Sequence, residues 1–548
     1  MKKKYIPIIF ASLLITSCSA NCPTCPESAE DIKVELKEEF VEPYSFVEGE
    51  KSYIVDTNDT PQLILSTLLR TDLLRNADFL EYSAMEDYFA VAKETGFNTI
   101  DVVVTWNEIE PKRNEYDFSS IDTYLNFAKK YDLKLNLIWY GSIVDGETHC
   151  ANIPDYIRAN PEVYPVLLDL FDGAYYGRFQ ILDWSDPDLL SRESSAVYSL
   201  FNHIYDWTLE NDYQDPVVMA QIGQGVDRFY KWRISQYGVE GNDSALMTLD
   251  EAMTMTNTYL EEISKAVKYS SYRPITRAEF CEQTGVVNYV REVYDLEHID
   301  MVATTYLHDI SATRNGIRSF ADEFEGMPVI NAENWANDQN YRMVLANIAL
   351  GAVGYTSYQL SNPVYFPENP NGALYERYNQ DGATLEEKFV PVGNRPANAK
   401  SVMNALNNLY IPATKIERGN FAALGYDNRI SNDETTQKVY LSNGIMLEYD
   451  KPTSSIALAM SDGDYIYAYS FTDSNITFSN CSLLSAQQGS FDEFGTFNGE
   501  SVTLENNITL SLKAGETYRI RTTNIGELPS ASELRELGYS STFDALRA

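Results

Sequence analysis

The sequence predicts an α/β protein: a (β/α)₈ TIM barrel followed by a small all-β sandwich. Three observations predict it. Eight short apolar runs alternate with amphipathic helical stretches through the larger part of the chain. The pattern then changes to alternation of apolar and polar residues, as half-buried strands require. At 548 residues the chain is too long for one ordinary core, so several domains are expected, one of them large.

The N-terminus comes first. Lys2, Lys3 and Lys4 precede an apolar run from Tyr5 to Ile15 that is too short to span a bilayer, and Ile15-Thr16-Ser17-Cys18 follows at once. Residues 1–17 resemble a bacterial lipoprotein signal. The resemblance implies cleavage before Cys18, lipidation of its thiol and, with Ser19 next in line, an outer-membrane address, periplasmic or cell-surface. Residues 18–60 are acidic and lack periodicity, which reads as a tether, with order beginning near Gln62. Cys22 and Cys25 lie in this stretch, where no flanking strand or helix supports a redox or zinc reading. Cys150, Cys281 and Cys481 are too scattered for a disulfide framework.

Residues 61–412 carry the barrel pattern. The expected strands are Leu63 to Leu69, Thr99 to Thr105, Leu133 to Tyr140, Val217 to Ile222, Arg273 to Phe280, Ile299 to Tyr306, Met327 to Asn331 and Ala352 to Tyr358. Gly96 is a natural stop for the helix before the second strand. Ser119 can cap the next helix with Asp122 at the capping-box position, and Ile121, Leu125 and Ala128 share its inner face. A last helix spans about Asn398 to Leu409. In residues 413–525, Tyr465, Tyr467, Tyr469 and Phe471 alternate, as do Ile508, Leu510 and Leu512, with turns at Ser461-Asp462-Gly463 and Lys513-Ala514-Gly515. This is the sandwich, and residues 526–548 form a tail.

Charge and composition narrow the chemistry. A formal net charge of −38 repels nucleic acid and anionic surfaces, so a neutral ligand is expected. The four histidines, His149, His203, His298 and His308, form no metal-spaced set. No Gly-x-Ser-x-Gly elbow or phosphate loop appears, and no cofactor is expected.

Chemistry in a barrel sits at the C-terminal ends of its strands. Gly96 to Ile100 with Trp106-Asn107-Glu108-Ile109-Glu110-Pro111 and Tyr116-Asp117-Phe118, then Leu135 to Ser142, then Met327 to Trp335 containing Asn331-Ala332-Glu333-Asn334-Trp335, and finally Gly351 to Tyr355, together resemble glycoside hydrolase families 35 and 42, the β-galactosidase-type barrels. The resemblance covers roughly residues 62 to 400. It implies a retaining mechanism with Glu333 as nucleophile. Retention needs a second carboxyl about 5 Å away as proton donor. In these families the donor is the Glu of an Asn-Glu pair ending the fourth strand. The matching segment here is Gln221-Ile222-Gly223-Gln224-Gly225-Val226-Asp227, so Gln224 falls at the Asn and Gly225 at the acid.

General acid catalysis contributes about 10² to 10⁴ in rate, so this gap matters. Asp227 is the first candidate for a displaced acid, since residues two apart on a strand point the same way. Glu147, Asp145 and Glu279, read as acids of neighbouring loops, are further candidates for that role or plain solvated loop acids. Tyr306, ending the sixth strand, suits a hydrogen bond to the nucleophile. Trp106, Trp139, Trp184 and Trp335 offer flat faces for a sugar or plain core packing. Asn107 and Glu110 can hold sugar hydroxyls, with bracing of the loop through Glu110-Pro111 the favoured alternative, and Gln224 is a further candidate contact. Two functions fit. One is a surface glycosidase acting on β-linked, galactose-containing oligosaccharides. The other is a glycan-binding lipoprotein that keeps the cleft and has lost its general acid.

Overall fold

The structure, a computed structural model, describes residues 32–47, 53–76, 82–142, 152–164, 166–172, 177–223, 249–281, 297–305, 327–335, 352–361, 373–378, 382–410, 438–440, 445–450, 456–460, 465–492 and 496–523. For residues 333–335 it describes the backbone. Cys18, Gln224, Gly225, Asp227 and Tyr306 lie outside the described residues, as do Asp145, Glu147, His149 and His308.

The stretch read as a tether takes part in the fold from Ile32 onward. Strands β1 (Tyr44–Val47), β2 (Tyr53–Asp56) and β3 (Pro61–Gln62) form an antiparallel sheet. Tyr44, Ile54 and Phe46 pack on barrel residues Ile64, Met219, Ile275, Met301 and Val353, which closes the lower end of the lumen. Ahead of the sheet the backbone is stitched to the fifth strand's approach: Val41 N donates to Ser271 O at 2.8 Å and Arg273 N to Val41 O at 2.9 Å. The Arg273 guanidinium lies 3.5 Å from the Phe40 ring centroid. The acidic residues interspersed through this stretch masked the docking side chains Phe40, Tyr44, Phe46 and Ile54.

The barrel is closed and parallel. Its strands are β4 (Ile64–Leu69), β5 (Thr99–Thr105), β6 (Lys134–Tyr140), then, after an antiparallel hairpin of β7 (Val166–Asp172) and β8 (Gly177–Leu182), β9 (Val217–Ile222), β10 (Ile275–Cys281), β11 (Met301–Thr305), β12 (Val329–Trp335) and β13 (Gly354–Tyr358). All eight fall on the expected apolar runs. The hairpin was not expected. Strand β12 runs past Asn331 to Trp335 because its register shifts against both neighbours, so that Glu333 pairs with Thr305 on one side and Asn334 with Ser357 on the other. Such a bulge re-aims a strand's end without breaking the sheet.

Period-two alternation sorts the lumen into layers. Above the apolar floor lies a belt of polar side chains from six strands: Ser66, Asp101, Asn136, Gln221, Arg277 and Thr356, every one buried. Arg277 Nη2 donates to Asp101 Oδ2 at 2.6 Å, and both side chains are fully buried. Asn136 Nδ2 at 2.6 Å, Thr356 Oγ1 at 3.2 Å and the Ser66 hydroxyl also donate to Asp101. These donors offset the desolvation of the carboxylate, which costs several kcal/mol per ion. Leu68, Val103, Ile138 and Tyr140 form an apolar layer above the belt.

Local sequence explains the helices. Gly96 ends the Tyr82–Thr95 helix at φ 101°, and a Cβ there would meet Met403 Cβ at 2.9 Å. Ser119 is not the cap of the Ser119–Tyr131 helix. Phe118 occupies that place without a side-chain cap, Asp117 accepts from Ser119 N at 3.0 Å, and Asp122 instead bonds His203 Nε2 at 2.6 Å. The Pro187–Asn211 helix is capped by Asp186 with Pro187 in its first turn. Among the described residues no helix is long and apolar enough to cross a membrane.

Beyond the barrel, β14 (Tyr375–Arg377) pairs with β15 (Phe389–Pro391), and the Arg395–Ala405 helix leads into a π-helical turn at Leu406–Tyr410. That turn packs on the β-rich domain. One of its sheets has four strands, in the order β16 (Lys438–Tyr440), β17 (Met446–Tyr449), β20 (Ser474–Phe478) and β23 (Thr509–Leu512). The other has five, β18 (Ile456–Met460), β19 (Ile466–Ser470), β24 (Thr517–Thr522), β21 (Leu483–Phe491) and β22 (Phe497–Ser501). Leu447, Ile476 and Leu510 of one sheet share a core with Ala468, Ala486 and Ile520 of the other, continuous with Leu406 and Leu409.

Breaking the buried pair should be costly. Arg277→Met leaves Asp101 charged and buried, with an expected loss of about 3 to 5 kcal/mol in urea denaturation; a loss under about 1 kcal/mol would show that the pair does not hold the barrel.

Candidate functional site

The second, third, fourth, fifth and seventh strands bring the described parts of the site to one end of the barrel. After β5 the chain turns at once into a short Trp106–Ile109 helix, held by a capping box in which Thr105 and Glu108 bond each other's backbone. Trp106 is fully buried; its Nε1 donates to Glu110 Oε2 at 2.9 Å. The other Glu110 oxygen accepts from Asn114 N at 2.8 Å, so Glu110 braces the loop. Burial pushes its carboxyl up while these bonds pull it down. Asn107 stays partly exposed.

After β6 the turn is built around Glu193, which reaches in from the Pro187–Asn211 helix. Its Oε1 accepts from Trp139 Nε1 at 2.9 Å, Tyr259 OH at 2.6 Å and Ser142 N at 3.3 Å, and its Oε2 from the Ser142 hydroxyl. Gly141 is needed here because a Cβ would stand 1.6 Å from Glu193 Oε1. Burial pushes the Glu193 carboxyl above the usual glutamate range, against the pull of its donors. Burial and the Glu193 carboxyl together push the Tyr259 phenol up as well.

Trp139, like Trp106, is therefore committed inward and nearly buried. Trp184, buried too, lies 4.7 Å from Tyr259, centroid to centroid. All three pack in the core, one of the two roles the sequence left open, and present no face to a sugar in this conformation. Strand β9 ends at Ile222, and Gly223 follows at φ 67°, its N donating to Trp139 O at 3.1 Å. Glu333 and Trp335 lie in the C-terminal half of β12.

One carboxyl escaped the sequence, and another was named but placed on a loop. Glu193 gave no motif signal, because its partners are 51 to 66 residues away in the chain. Glu279 is not a loop acid: it stands within β10, two residues after Arg277, and is 2% exposed. Its Oε2 accepts from Gln221 Nε2. Charged residues two apart in an apolar strand, as in Arg277-Ala278-Glu279, were the available sign of a polar lumen.

Comparison with known proteins adds two segments. The family model described as beta-galactosidase matches residues 78–155, which hold the second and third strands and their turns. The fold is glycoside-hydrolase-like. A model described as a domain of unknown function, DUF4978, matches residues 254–431, which hold the fifth to eighth strands and Glu333.

Among solved structures, the chain is similar to an exo-β-1,4-mannosidase from Opitutaceae bacterium strain TAV5, with 11% identity and a TM-score of 0.41. The likeness covers 60% of this chain and 59% of the mannosidase. It is also similar to a glycoside hydrolase family 30 endoxylanase from Clostridium papyrosolvens C71, with 10% identity and a TM-score of 0.40 over 85% of this chain and 98% of that one. A family 30 subfamily 8 xylanase from Clostridium acetobutylicum shows 11% identity and a TM-score of 0.36 over 84% and 96%.

Glu193 makes stability depend on pH. Folded, it keeps its proton where an unfolded glutamate, near 4.5, has lost it. Its contribution is full below that value and is lost as pH rises through the raised folded value. Wild type should therefore lose stability relative to Glu193→Gln across that window, by at most about 1.4 kcal/mol per pH unit. Urea denaturation between about pH 4 and 8 checks it, and parallel curves for the two proteins would refute the assignment.

Proposed function

We propose that the chain is a surface-anchored glycosidase acting on β-linked, galactose-containing oligosaccharides by a retaining mechanism with Glu333 as nucleophile. The observation that carries the reading is the closed barrel itself, in which the β-galactosidase-like segment at residues 78–155 and the strand bearing Glu333 end on the same side. Asn107, Gln224, Tyr306 and Trp335 are the proposed sugar contacts, and Asp227 remains a candidate for the displaced acid. Lipidated Cys18 is the proposed anchor, supported by the lipoprotein-like signal at residues 1–17.

A second reading has its own support. The fourth strand gives way to Gly223, which has no side chain, and Gly225 falls where the resemblance calls for the acid. A glycan-binding lipoprotein without turnover would look the same.

Aryl β-galactosides with good leaving groups separate the two, because they need no proton donor for the first step. The wild type should turn them over, Glu333→Gln should not, and Cys18→Ser should move the protein from the membrane to the soluble fraction. Oligosaccharide binding without Glu333-dependent turnover on any aryl glycoside would sink the glycosidase and leave the binder.

A further inference from the structure

We propose that Glu279 supplies the proton that the fourth strand lacks, as general acid and then general base opposite Glu333; this rests on the retaining reading above. The register puts it in the right place. Arg277 pairs with Gln221 across β10 and β9, so two residues further on Glu279 stands level with Gly223, at the end of the fourth strand. On its other side Glu279 pairs with Ala303, and Thr305, two residues along β11, pairs with Glu333. Glu333 thus sits two strands and one lumen layer away from Glu279. With strands about 4.8 Å apart and a rise of about 3.3 Å per residue, the two backbones are about 12 Å apart. Two glutamate side chains can close that to the roughly 5 Å that retention needs.

The surroundings hold this carboxyl in one orientation. Arg277 can only donate, and its Nε donates to Gln221 Oε1 at 2.7 Å, which fixes the amide. The Gln221 NH₂ is thereby turned toward Glu279 Oε2 and Gly223 O, the latter at 3.0 Å. The Asp101 carboxylate and Arg277 guanidinium already neutralise each other, so the belt needs no second acid. Glu279 nevertheless stands one layer above it, level with Gly223, which carries no side chain.

In the first step Glu279 gives its proton to the glycosidic oxygen as that bond breaks, while the Glu333 carboxylate bonds the anomeric carbon. In the second the Glu279 carboxylate takes a proton from water, whose oxygen displaces Glu333 and restores both groups.

The test compares wild type, Glu279→Gln and Glu333→Gln on dinitrophenyl and methyl β-galactosides, with and without azide. Glu279→Gln should lose about 10² to 10⁴ in kcat/KM on the methyl glycoside and little on the dinitrophenyl one. Azide should raise its turnover and give β-galactosyl azide, and the alkaline limb of its kcat/KM profile should vanish. Equal losses on both leaving groups, or wild-type behaviour, overturn the role of Glu279; if Glu333-dependent turnover is present, the retaining reading survives that result. Absence of Glu333-dependent turnover in wild type overturns both. Should Glu279→Gln not fold, Glu279→Asp replaces it: a drop confined to the methyl glycoside supports the role, and an unchanged leaving-group dependence overturns it.

Discussion

One fully buried ion pair, Arg277 on the fifth barrel strand with Asp101 on the second, sets the terms for the rest of the barrel. A one-residue slip in either strand would turn its charge from the lumen to the helix-facing side and leave the partner unpaired. The pair therefore specifies register as well as stability. Asp101 extends the constraint to the first, third and eighth strands through Ser66, Asn136 and Thr356, and Arg277 extends it to the fourth through Gln221. Four further strands are aligned by one carboxylate and one guanidinium.

A second carboxyl organises the rim. Glu193 gathers donors from the turn after the third strand and from Tyr259 on the Leu249–Tyr269 helix, so that two outer helices and one lumen strand meet at one group. The arrangement draws Trp139 inward and holds Gly223 through the Trp139 carbonyl. It makes the wall on this side rigid. On the far wall the bulge in β12 does the opposite, re-aiming the strand's end at Glu333. A fixed wall facing a re-aimed one is a sensible frame for a cleft in which two carboxyls must be held at a set spacing.

Barrel strands were legible because short apolar runs mark strands buried on both faces: β5 and β9 fall on those runs residue for residue. The β-rich domain was legible by a different sign, its period-two alternation. What stayed hidden was set by distance in the chain. The links of Asp101 to Arg277 and of Tyr44 to Asp215 span 176 and 171 residues, and no local pattern announces them. Ser119 is not the cap because the helix starts one residue earlier than its side chain suggests: Phe118 holds the cap position, and Ser119 N instead donates to Asp117. In the site, Trp106, Asn107 and Trp139 could be placed from motif alone, but whether a tryptophan meets sugar or core depends on what its indole nitrogen finds, and Glu110 and Glu193 were the deciding partners.

The N-terminal sheet carries a consequence for how the chain acquires its shape. Lys37 O accepts from Arg273 Nη2 across 236 residues, so the segment that is synthesised early docks on strands that come much later. Closing a loop of that length is entropically slow and can follow only after the fourth and fifth strands exist. Until then the barrel floor formed by Met219, Ile275 and Met301 lacks its cover. The leading end thus serves as a latch that shuts the lumen from below, and part of what it engages lies 236 residues further along the chain.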